Sequence, residues 1–148
     1  MTPVVLLDRL KEFVENHTKD IYLSVQVEKN EAPQERAPQV HKMWLPNKEL
    51  EIQNIPYIVL QFITGLDDQE PGNAPDSECK IRIVVATYSK NAGEGAMGLL
   101  NVLTRLRTEL LRVREVGDQF LLRMPLEYVV YPDNTSPFFL GEMLTTWE

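Results

Sequence analysis

The chain has 148 residues, 43% of them hydrophobic, and 15 Lys and Arg against 22 Asp and Glu leave it a net charge of −7. That length carries one domain with a proper core, and the acidic balance argues against a surface built to hold nucleic acid or anionic lipid. A single cysteine, Cys79, excludes an intrachain disulfide framework and any cysteine-based zinc site.

Thr2 and Pro3 read as an N-cap and a first-turn proline. Leu6, Leu7, Leu10, Phe13 and Val14 then recur at helical spacing up to about His17, which predicts a short amphipathic helix. Charges inside this apolar run and the lack of a cationic start exclude a signal peptide. Nowhere do about 18 apolar residues run together, so the chain reads as soluble and made in the cytoplasm. From Ile21 the period changes to two, with Ile21, Leu23, Val25 and Val27 alternating with polar neighbours as in a strand with one buried face. The polar run KNEAPQERAPQ follows as an exposed turn or arm, and the shorter piece VHKMWLP is expected to return antiparallel to the first strand.

Two strong strand patterns occupy the middle, YIVLQFITG after Pro56 and KIRIVVATY from Lys80 to Tyr88. Between them, Leu66 to Glu78 carries Pro71, Gly72 and Pro75 with the acidic residues Asp67, Asp68, Glu70, Asp76 and Glu78, and is expected to protrude as a mobile acidic loop. A long helix is predicted over about Glu94 to Val116. Its Leu103, Leu106, Leu110 and Val113 face one side, and Arg105, Arg107, Arg112 and Arg114 lie largely on the other. Gly117 and Asp118 punctuate its end. QFLLRMPLEYVVY reads as a strand bent or interrupted at Pro125, and PFFLGEMLTTWE as a last strand. The fold class expected is therefore α+β: a mostly antiparallel sheet with a short N-terminal helix and one long helix packed on a face, in a single domain over residues 1–148.

Gly93, Gly95 and Gly98 stand at the spacing G-x-G-x-x-G, after a strand pattern and before a helical one, which is where a dinucleotide-binding turn would place its glycines. The context argues for a strand-to-helix hinge instead. The preceding strand carries Lys80 and Arg82, Glu94 stands where a pyrophosphate would approach, and the only later acidic residues at about the right distance, Glu115 and Asp118, precede the next strand. His17 and His41 share no metal-ligand spacing with another strong ligand, and Cys79 has no identifiable histidine partner. The acidic loop does not match a calcium-binding spacing. Glu109 and Glu115, interleaved with the four arginines, favour salt bridges or a partner contact over a phosphate site. No catalytic residue, metal or cofactor is expected, and an enzyme is not.

The series IPYIVLQFITGLDDQE, KIRIVVATYSKNAGEGAMGLLNVLTRLRTELL and MPLEYVVYPDNTSPFFLGEMLTTWE, from Ile55 to the C-terminus, resembles the tail terminator (tail completion) proteins of long-tailed bacteriophages and related prophage or tail-like particles. The resemblance implies a virion protein assembled in the host cytoplasm as a homo-oligomeric ring, typically a hexamer. Such a ring sits on the head-proximal end of the tail tube, stops tube polymerisation and presents the surface for head attachment. It also implies, as partners, the tail tube protein, the head–tail connector or adaptor proteins and, in a contractile tail, the sheath. It carries over no catalytic residue. Six copies at −7 each would let DNA pass without holding it. On this reading Asp67, Asp68, Glu70, Asp76 and Glu78 are candidates for facing the lumen or the tube, and Arg105, Arg107, Arg112 and Arg114 for contacts between subunits. Two alternatives stand beside it: a head–tail adaptor of the same particle, and a small nucleotide-binding domain using Gly93, Gly95 and Gly98.

Overall fold

The computed structural model describes residues 2–46, 55–132 and 136–148. Asp133, Asn134 and Thr135 of the C-terminal block lie outside the described residues. Along the chain come α1 (Pro3–Thr18), β1 (Leu23–Val25), β2 (Gln34–Arg36), β3 (Gln39–Lys42), β4 (Tyr57–Asp68), β5 (Asp76–Tyr88), α2 (Ala92–Val113), β6 (Glu115–Val116), β7 (Phe120–Val130) and β8 (Phe138–Trp147). β1 and β2 make a small antiparallel sheet. The other six strands form one sheet in the order β3, β4, β5, β8, β7, β6, in which only the β3–β4 pair is parallel. This is the expected α+β class.

Helical spacing does what the sequence predicts. α1 buries Leu6, Leu10 and Val14, and α2 buries Leu99, Val102, Leu103, Leu106 and Leu110. Both stripes press on one face of the sheet, against Ile58, Leu60, Ile81, Ile83, Val85, Met143 and Trp147. Each such side chain contributes about 1.5–3 kcal/mol on leaving water, so this layer dominates the stability of the fold. The alternate residues Tyr57, Val59, Ala86 and Tyr88 form a second, smaller cluster on the opposite face.

Several local expectations are corrected. The first strand pairs with the polar run after it, Leu23 opposite Arg36 and Val25 opposite Gln34, and not with VHKMWLP. That later piece supplies β3, which lies parallel to β4 with Gln39 opposite Tyr57. Pro56 O holds it there by accepting from Gln39 N (3.2 Å) and from the Arg36 guanidinium (3.0 Å). α2 runs from Ala92 to Val113 and stops at Arg114, which takes the left-handed cap conformation at φ 60°. Gly117 (φ 65°) and Asp118 (φ 57°) therefore do not end the helix but turn the chain between β6 and β7. A Cβ on Gly117 would also stand 2.7 Å from Arg9 Cγ.

The acidic segment is not a long loop. β4 runs out to Asp68 and β5 starts at Asp76, with Leu66 opposite Glu78, Asp67 opposite Ser77 and Asp68 opposite Asp76. Only residues 69–75 turn. A ladder satisfies the backbone whatever the side chains, so alternating acidic residues extend the hairpin into solvent as a two-stranded arm. At Pro125 the expected irregularity is present: the β7–β8 register shifts between Arg123 and Glu127.

Candidate protein interface and the glycine turn

The glycine turn lies where β5 hands over to α2. Asn91 caps the helix, its side-chain oxygen accepting from Glu94 N at 3.1 Å, and Glu94 adds its carboxylate to the first turn. One donor that a phosphate would use is thus taken by the chain itself, and a like charge stands beside the others. Gly95 is buried, and a Cβ there would come within 2.1 Å of the Phe139 ring on β8. Gly98 faces Leu23 at 3.5 Å, and Gly93 has only Asn91 Oδ1 near it. The motif is a close helix–sheet contact made at Gly95.

The four arginines are dispersed among partners of their own chain. Arg105 Nη1 donates to Asp20 Oδ1 (2.9 Å) and to His17 O (3.1 Å), tying the end of α1 to α2, and its hydrogen bond holds the Asp20 carboxyl below the usual range. Arg107 lies over the Tyr128 ring, 4.8 Å from its centre, and donates to the Tyr128 hydroxyl at 2.9 Å. Arg112 donates to Glu109 Oε2 at 2.7 Å and lowers the pKa of that carboxyl. Arg114 donates to Leu122 O at 3.1 Å. They do not gather into one basic patch, and a neighbouring copy would have to share them with these partners.

Asp67, Asp68, Glu70 and Asp76 do gather, at the exposed tip of the arm, where Ser77 Oγ donates to Asp67 Oδ1 at 2.6 Å. Glu78 stands apart, nearer the body, accepting from Arg123 at 2.7 Å. His17 Nδ1 donates to Phe13 O at 2.8 Å, and its Nε2 sits 3.5 Å from Glu109 Oε2. Burial, and then the nearby charges of Lys11 and Arg36, push the His41 pKa below the usual histidine value, and its Nε2 has no hydrogen-bond partner among the described residues. Cys79 is 2% exposed, and burial pushes its thiol up to about 11, so it is inert. Among the described residues no group of three His, Cys, Asp or Glu could hold a metal, and no helix is long and apolar enough to cross a membrane.

Sequence reasoning missed the open face of the sheet. There Arg82 Nε pairs with Glu142, its Nη2 donates to the Tyr131 hydroxyl at 2.6 Å, and its Nη1 reaches Gln61 Oε1 at 3.5 Å. Apolar Val59, Val84, Leu140 and Leu144 surround this half-buried cluster. A shallow groove of about 510 Å³ runs beside it, lined by Leu126, Glu127, Tyr128, Val129, Glu142 and Leu144. The signal was a lone Arg and a lone Glu, each inside an apolar strand pattern, but only the pairing of β5 with β8 brings them together. Among the described residues no helix lies over this face, and its polar centre is satisfied within the chain. Compared with known proteins, the chain matches no family model and no curated sequence.

Proposed function

We propose that this chain is a structural ring subunit that closes the head-proximal end of a phage tail tube, stops its polymerisation and offers the surface to which the head attaches. The observation that carries the reading is the ordered series of blocks from Ile55 to the C-terminus, which resembles the tail terminators. These blocks supply β4, α2, β8 and most of β5 and β7, and both described helices lie on one side of the sheet these strands form. Two features agree with the role. The acidic tip of the arm would repel phosphate at a lumen, and the open face with its satisfied Arg82–Glu142 centre is left for a protein neighbour.

The test is electron microscopy of particles assembled without this protein. Overlong or ragged tails are the expected result; tails of normal length that fail to join heads would overturn the terminator role and indicate an adaptor. The nucleotide reading is checked separately by thermal unfolding with NAD, FAD or ATP. A true ligand at a hundred times its Kd would add about 2.7 kcal/mol of stability, and no shift is expected.

A further inference from the structure

We infer that copies of this chain join head to tail by continuing one sheet, the outer edge of β4 in one copy pairing with the outer edge of β7 in the next. This deepens the ring reading, on which it rests for closure, but the edge contact stands on its own geometry. Both edges are open. β3 covers β4 only from Tyr57 to Leu60, and β6 covers β7 only at Phe120 and Leu121, so among the described residues no strand pairs with Ile63–Asp68 or with Glu127–Val130. An open edge is a row of unpaired N–H and C=O groups ready to accept a further strand.

Strand direction allows the sheet to continue without turning a copy over. β4, β5, β8 and β7 are each antiparallel to the next, so β7 runs opposite to β4. A second copy in the same orientation therefore sets its β7 antiparallel to the first copy's β4, with the helices of both on one side. Each stretch also carries exposed apolar side chains: Ile63 (49%) and Leu66 (62%) on the first, Met124 (46%), Tyr128 (47%) and Val129 (46%) on or beside the second.

The pleat restricts the register, since paired residues must share a face. Asp68 lies opposite Asp76, and Thr64 opposite Lys80, on the open face; Arg123, opposite Thr146, and Glu127, opposite Leu144, are on that face too. Setting Asp68 against Arg123 joins opposite charges and also sets Thr64 against Glu127, so that Ile63–Asp68 runs against residues 123–128. Within one sheet Glu127 is level with Gln61, through Leu144 and Arg82. Arg123 is likewise level with Thr64, through Thr146 and Lys80, so this register sets each copy off along the strands from its neighbour, and a stagger repeated from copy to copy is what closes a sheet into a barrel. Pro125 and the irregularity around it leave pairing strongest at the two ends of the contact.

The test mixes two variants, Asp68→Cys and Arg123→Cys, under oxidation; buried Cys79 does not compete. A disulfide-linked dimer is expected in the mixture and from neither variant alone. In parallel, Leu66→Lys should shift wild-type oligomers to monomer in sedimentation velocity while thermal unfolding stays unchanged. Wild-type protein that is monomeric at every concentration overturns the inference. A closed ring that Leu66→Lys leaves intact, with no cross-link in the mixture, also overturns it while keeping the ring reading. Cross-linked open filaments would support the edge contact and overturn the closed ring.

Discussion

The two faces of the sheet are built from alternate residues of the same strands, yet one carries the main core and the other only a smaller buried cluster at one end. Ile81, Ile83 and Val85 lie fully buried beneath the helices, while Arg82 and Val84 between them look out from the uncovered side. A strand supplies two faces at equal sequence cost. What separates them is whether helices with matching stripes lie over one.

The sharpest way to break this comparison is to truncate one residue on each face of β5. Ile83→Ala should cost about 2–5 kcal/mol, because it leaves a cavity in the packed layer. Val84→Ala should cost about 1 kcal/mol or less, because solvent already reaches it. Equal losses in denaturant unfolding would mean the open face is as much a core as the covered one. Next comes the helix–sheet contact. Gly95→Ala should destabilise by about 1–3 kcal/mol through the clash with Phe139, and adding Phe139→Leu should recover a good part of it. A Gly95→Ala protein as stable as the wild type would show that the glycine serves something other than packing.

On the open face, Arg82→Met should lower stability by no more than about 1 kcal/mol in the isolated chain, since the Glu142 left behind is within reach of water. A loss several times larger would mark the cluster as a structural keystone. The smallest effect is a pH slope from His41. Burial holds its folded-state pKa below the ordinary 6.5, so the contribution is present above that value and lost as the pH falls through it, when the unfolded chain takes up the proton the folded protein resists. The melting temperature should therefore decline from pH 7 towards pH 5, and His41→Leu should flatten that decline.

How far the sequence could be read depended on the range of the signal. Both helices, the strands YIVLQFITG and KIRIVVATY, the bend at Pro125 and the final strand were legible because periodicity and proline act within a few residues. The arm was misread. Acidic residues, Pro71, Gly72 and Pro75 resemble a loop, but the ladder from Thr64–Lys80 to Asp68–Asp76 needs only backbone. The place of β3 was missed for another reason, since a parallel pair leaves no turn in the sequence and is held by Pro56 O and Arg36 from elsewhere in the chain. Of the candidate residues, Asp67, Asp68, Glu70 and Asp76 share the exposed end of the arm while Glu78 pairs with Arg123, and the arginines, one stripe on paper, have separate partners.

The amino-acid sequence alone determined the class of this protein, its acidic charge, its helices and the alternation of its central strands, because each is set by local spacing and composition. Tertiary structure decided which face of the sheet the helices cover, that Gly95 lets the Phe139 ring approach, and that Arg82 meets Glu142 on the open side. It also decided that among the described residues β4 and β7 keep stretches of edge with no strand beside them, because strand order and register are fixed by contacts between residues far apart in the chain, and no local pattern encodes them.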